Sequence, residues 1–83
     1  MKIELLENHI RTGREIEFKY NGKMYSITYY ADTSKKDYIS FCEFYKEPVD
    51  VCSFEALCQV EYDGTKVLKM WESIDEDGEY YIY

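Results

Sequence analysis

Residues 14–30 read REIEFKYNGKMYSITYY, and this stretch decides the fold. Ile16, Phe18 and Tyr20 alternate with Glu15, Glu17 and Lys19, the period of two that marks a half-buried strand. Asn21-Gly22 supplies a two-residue loop, because a type I′ turn needs positive φ at both central positions and this dipeptide tolerates it best. Closing that loop pairs Tyr20 with Lys23, Phe18 with Tyr25 and Ile16 with Ile27. Apolar residues then face apolar residues, and a slip of one residue would turn all of them to the wrong side. An antiparallel hairpin is the expectation.

Upstream, KIELLENHIRTG sets Ile3, Leu6 and Ile10 on one helical face, and Gly13 suits a C-terminal cap with positive φ. Residues 2–12 read as an amphipathic helix. Downstream, ADTSKKD is a polar connection and DYISFCEFY a third strand. Its phase breaks, since Ile39 and Phe41 define one face and Phe44 the other, so a bulge near Cys42-Glu43 is expected. Pro48 ends the strand. Ser53 caps a short helix, SFEALCQV, with Phe54, Leu57 and Cys58 inward. Asp63-Gly64 makes a turn, and Thr65 reads as the cap of TKVLKMWESI. There Val67, Met70, Trp71 and Ile74 fall at i, i+3, i+4 and i+7, the stripe of a core-facing helix. The expected class is α+β: a three-stranded antiparallel sheet packed by helices, in the order α-β-β-β-α-α, as a single domain over residues 1–83. The terminal EYYIY suits a short final strand, with Tyr81 and Tyr83 on one face and Tyr80 and Ile82 on the other; it also suits an ordered tail against the last helix.

A chain of 83 residues makes one domain with a thin margin of stability. Hydrophobic residues at 46% are enough for a core, so wholesale disorder is not expected. No apolar run approaches the ~20 residues of a membrane span. MKIELLENHI carries acids inside its apolar positions, unlike a signal peptide, so a soluble cytoplasmic protein is expected. Cys42, Cys52 and Cys58 form an odd set with no CxxC, which fits free thiols acting as small buried hydrophobes. Zinc held by these cysteines and His9 would lack the usual close-spaced ligand pair.

Charge divides the chain. Residues 1–36 carry seven basic and five acidic side chains (+2), and residues 37–83 three basic and twelve acidic (−9), together −7. That balance repels nucleic acid and anionic membranes and attracts basic protein surfaces. Asp75, Asp77 and Gly78 mimic positions 3, 5 and 6 of an EF-hand loop, but the bidentate glutamate of position 12 falls beyond Tyr83. His9 is the single histidine, and no nucleophile elbow, phosphate loop or HExxH accompanies it. Neither enzymatic activity nor a cofactor is expected. Tyr25, Tyr29 and Tyr30 on one strand invite an RNA-stacking reading, yet stacking platforms work beside a positive groove, which the +2 half does not provide.

Ten tyrosines remain. Tyr29-Tyr30 and Tyr80-Tyr81 are consecutive, so within strands each pair must point to opposite faces and several rings must be partly exposed. Exposed tyrosine is enriched at binding hot spots.

The series REIEFKYNGKMYSITYY, ISFCEF, SFEAL and DGTKVLKMWESI resembles small Firmicutes and phage proteins of uncharacterised function, along nearly the whole chain. In acidity and in the order α-β-β-β-α-α the chain is also similar in kind to the small acidic type II-A anti-CRISPR proteins, without a shared residue motif. That likeness implies an inhibitor that blocks DNA engagement by a CRISPR effector nuclease: carboxylates spaced like phosphates mimic DNA in the nuclease's basic channel, and tyrosines between them supply packing. The candidate partner-binding residues are then Glu43, Glu47, Asp50, Glu61, Asp63, Glu72, Asp75, Glu76, Asp77, Glu79, Tyr80, Tyr81 and Tyr83. The competing expectation is an accessory protein-interaction module, acting through homodimerisation or an apolar contact at an exposed sheet edge.

Overall fold

The computed structural model describes residues 1–31, 37–74 and 78–83. Helix α1, Ile3–Arg11, ends on a paired cap in which Gly13 N–H donates to Ile10 O and Arg14 N–H to His9 O, each at 3.0 Å. Gly13 makes this cap at φ 74°, where a side chain would be strained. Strands β1 (Ile16–Tyr20) and β2 (Lys23–Tyr30) form the hairpin in the expected register, with Ile16 opposite Ile27 and Phe18 opposite Tyr25. Asn21 and Gly22 take φ of 52° and 80°, as the type I′ turn demands.

Strand β3, Tyr38–Glu43, pairs antiparallel with β2, but the expected bulge is replaced by a turn. Phe44 N–H still donates to Met24 O at 2.9 Å; Lys46 N–H then bonds back to Glu43 O at 3.0 Å, with Tyr45 at φ 68°. Phe44 breaks phase because the chain is leaving the sheet there.

The three-stranded sheet is corrected to five strands. β4, Val49–Val51, starts directly after Pro48 and pairs antiparallel with β3. β7, Tyr80–Ile82, pairs antiparallel with the other side of β1, which decides for the strand over the tail. The sheet order is β4-β3-β2-β1-β7. Between its edge strands lie α2 (Phe54–Gln59), a small hairpin of β5 (Glu61–Tyr62) and β6 (Thr65–Lys66), and α3 (Val67–Glu72). The order α-β-β-β-α-α therefore holds only in outline. Ser53 caps α2 as expected, accepting from Ala56 N–H at 3.1 Å. Thr65 does not cap α3; it lies in β6 opposite Tyr62, and Lys66 precedes the helix without a side-chain cap bond.

All the buried strand residues belong to one face of the sheet: Ile16, Phe18, Tyr25, Ile27, Ile39 and Phe41. The helices close over that face with Leu6, Ile10, Leu57, Met70 and Trp71. Phe18, Tyr25 and Phe41 form a run of stacked rings at 5.5 Å spacings. Trp71, fully buried, meets Phe18 edge-on at 6.1 Å and donates its indole N–H to Lys2 O at 2.9 Å. The indole thus fixes the start of α1 against α3. The Met1 amino group adds to this contact, 2.6 Å from Ile74 O at the end of α3.

Candidate protein-binding surface

Strand residues alternate, so covering one face of the sheet leaves the other bare. Glu17, Lys19, Met24, Ser26, Thr28 and Ser40 point away from the helices, and none is buried. The register sets Tyr81, Glu17, Ser26 and Cys42 in one row across four strands. Tyr30 and Tyr38 occupy a neighbouring corner, stacked on each other at 5.0 Å. At the β7 corner Tyr81 and Tyr83 are 48% and 63% exposed, and the Tyr83 hydroxyl donates to Glu17 Oε1 at 3.3 Å. Lys19 Nζ lies 3.8 Å from Glu79, so the basic group of this face is already beside an acid. What results is an open sheet face bearing hydroxyls at its centre, tyrosines at its corners and a net acidic charge.

The residues singled out from sequence do not form one patch. Glu47 and Asp50 lie before and on β4, whereas Tyr81 lies on β7 and Glu79 and Tyr83 flank it. These strands are at opposite edges, four strand spacings or about 19 Å apart. Asp50 and Tyr81 share the open face; Tyr80 points to the helix side, half-buried opposite Phe18. Glu72 ends α3, and Glu61 lies opposite Lys66 in β5, both on the helix layer. Asp75, Glu76 and Asp77 lie outside the described residues.

Besides Glu79, which lies beside Lys19, two of the acids are engaged internally. Glu43 accepts the Tyr62 hydroxyl at 2.8 Å, and that bond is the main reason the Tyr62 phenol is pushed up to about 12. Asp63 receives Lys23 Nζ at 2.7 Å, which holds its carboxyl below the usual range and raises the lysine. Together the two bonds tie the β5–β6 hairpin to the end of the sheet, leaving both carboxylates less available to a partner.

Glu17, Tyr30 and Tyr38 are not among the candidate residues drawn from the sequence, although the consecutive pair Tyr29-Tyr30 already requires an exposed ring. Their signal lay in the same alternation that identified the hairpin, which assigns an outward residue to every inward one. Cysteines also depart from expectation: Cys58 is buried, its thiol pushed up by burial and then by Glu55, but Cys42 is half-buried and Cys52 exposed. All three are free thiols. A groove of about 360 Å³ at the far end of the sheet involves Arg11, Tyr29, Asp37 and Cys52. Three of its polar side chains have partners: Arg11 bonds Glu7 at 2.9 Å, and the Tyr29 hydroxyl donates to Asp37. No helix among the described residues is long and apolar enough to cross a membrane.

Fold and surface together define a two-layer α+β architecture in which one sheet face, acidic and tyrosine-bearing, is uncovered among the described residues. No family model, curated protein or solved structure matches the chain.

Proposed function

We propose that this protein is a non-enzymatic inhibitor that presents an acidic, tyrosine-bearing surface to a basic, nucleic-acid-handling protein and keeps that protein from engaging DNA. A CRISPR effector nuclease is the sharpest form of the partner. The observation that carries the reading is the composition of the open face: acids and exposed tyrosines on one sheet, with Lys19 already beside Glu79. A net charge of −7 steers such a surface toward cationic channels and away from nucleic acid itself. Support comes from charge and exposed rings; the element order, which differs from α-β-β-β-α-α, lends none.

The test is DNA cleavage by a panel of guide-loaded nucleases, with the protein added before or after target DNA. Inhibition only on prior addition, weakening as salt rises, is the expected result. Cleavage unaffected across the panel refutes the reading.

Strand β7 favours a second reading, homodimerisation. Bonds from Tyr83 N–H to Glu15 O (2.8 Å) and from Lys19 N–H to Glu79 O (2.9 Å) turn residues 79 and 83 toward β1. Ladder alternation then turns the backbone of Tyr80 and Ile82 outward. This edge carries neither proline nor charge within Tyr80–Ile82, whereas β4 follows Pro48 and contains Asp50. Light scattering decides: a salt-insensitive dimer supports this reading, and a monomer at high concentration excludes it.

A further inference from the structure

Charge alone does not distinguish a lysine-rich partner from an arginine-rich one; the β7 corner of the open face does. Resting on the reading that this surface takes a basic protein, we propose that Tyr81, Tyr83 and Glu17 form a guanidinium site, which receives arginine side chains of the partner. Tyr81 lies directly opposite Glu17 in the ladder, and the Tyr83 hydroxyl reaches Glu17 Oε1 at 3.3 Å, so both rings border one carboxylate. Among the described residues, neither ring is stacked on another aromatic, in contrast to Tyr30 and Tyr38, whose faces are turned to each other. Glu17 itself is half-buried in its row, which weakens solvent screening around it. Glu79 stands beside Lys19 at the same corner, so the local balance remains acidic.

An arginine suits these groups in two ways that a lysine does not. Its planar guanidinium lies flat on a tyrosine ring while still donating to a carboxylate in the ring's neighbourhood, and it sheds water more readily than an ammonium. The paired N–H fork also matches a carboxylate, although Tyr83 already occupies part of one oxygen. Nucleic acid is a poor occupant, since Glu17 and Glu79 would face its phosphates. The surface thus fits an arginine-bearing protein segment lying across β7 and β1.

The experiment uses the whole protein at low salt, titrated calorimetrically with hexa-arginine and with hexa-lysine. The arginine peptide is expected to bind about fivefold or more tightly, from two exposed ring contacts. Replacing both rings, Tyr81→Leu with Tyr83→Leu, removes the preference, and Tyr81→Phe with Tyr83→Phe retains it. Because the leucine pair could loosen β7, amide shifts of the unmodified protein are followed as well; the arginine peptide should move Glu17 and Tyr81 more than Glu61 and Glu72. Equal affinity for the two peptides, a preference surviving in the leucine pair, or shifts centred on Glu61 and Glu72 overturns the proposal. Its fate is separable from that of the inhibitor reading. An arginine preference with no nuclease inhibited sinks the inhibitor and leaves the site standing, and the reverse result does the opposite.

Discussion

Replacing Trp71 by phenylalanine probes the joint between the two ends of the helical layer. The indole is fully buried against Phe18, and its N–H donates to Lys2 O at 2.9 Å. Two losses follow from the substitution. Shrinking the bicyclic ring to a single one leaves a void that a packed core fills only in part, at about 1–2 kcal/mol, a fraction of a full truncation to alanine. The hydrogen bond adds about 1 kcal/mol. Its cost stays at that lower level because Lys2 O also accepts from Leu5 N–H at 3.2 Å and is not orphaned. The sum is about 2–3 kcal/mol, from a domain whose size suggests a total of about 4–12 kcal/mol. Urea unfolding followed by far-UV circular dichroism should show a lower midpoint with an unchanged slope, and Tm should fall by about 10–20 °C. A loss under about 0.5 kcal/mol would refute the argument that Trp71 anchors residues 1–2 to α3.

Three further outcomes are expected. Ser53→Ala removes the side-chain acceptor of Ala56 N–H and lowers stability by about 1 kcal/mol, while Ser53→Gly loses less; equal losses would count against capping. Because the folded Tyr62 phenol is pushed up to about 12, its stabilising contribution is complete below pH about 10 and disappears as pH rises through the folded value. Ultraviolet titration should bring Tyr62 back toward the ordinary phenol range in Glu43→Gln, and no change there would exclude the Glu43 bond as the cause. In amide hydrogen exchange, Tyr83, bonded to Glu15 O, should be protected, while Ile82 on the outward edge of β7 exchanges fast. Protection at Ile82 would instead reveal a strand paired against β7.

Legibility in the sequence tracked the length of the pattern. The hairpin spans Ile16 to Tyr30 with a turn dipeptide at its centre, so its register could be derived residue by residue. β4 has three residues, Val49, Asp50 and Val51, too few for an alternation to stand out beside Pro48. β7 is equally short, and its sequence suits a strand or a tail; partners some sixty residues away, Ile16 and Phe18, stabilise it rather than local propensity. Thr65 had the chemistry of a cap, but pairing with Tyr62 claims its backbone for β6. The candidate surface was harder still. The described candidate acids are dispersed by the fold over two sheet edges and the helix layer, and Glu43 and Asp63 are engaged by Tyr62 and Lys23. Proximity along the chain is a poor guide to proximity in space once a sheet order such as β4-β3-β2-β1-β7 intervenes.

That strand order also sets a timetable for synthesis. β1 lies inside the sheet, yet one of its neighbours is the next segment to be made and the other is residues 80–82. A nascent chain can close the hairpin early, but one edge of β1 then stays unpaired until residues 80–82 are made. Until α3 is made, the rings of Phe18, Tyr25 and Phe41 lack Trp71 and Met70 above them. The sheet therefore cannot be completed or covered until residues 70–82 are made, and before then its apolar face is what a chaperone or an unwanted neighbour would find.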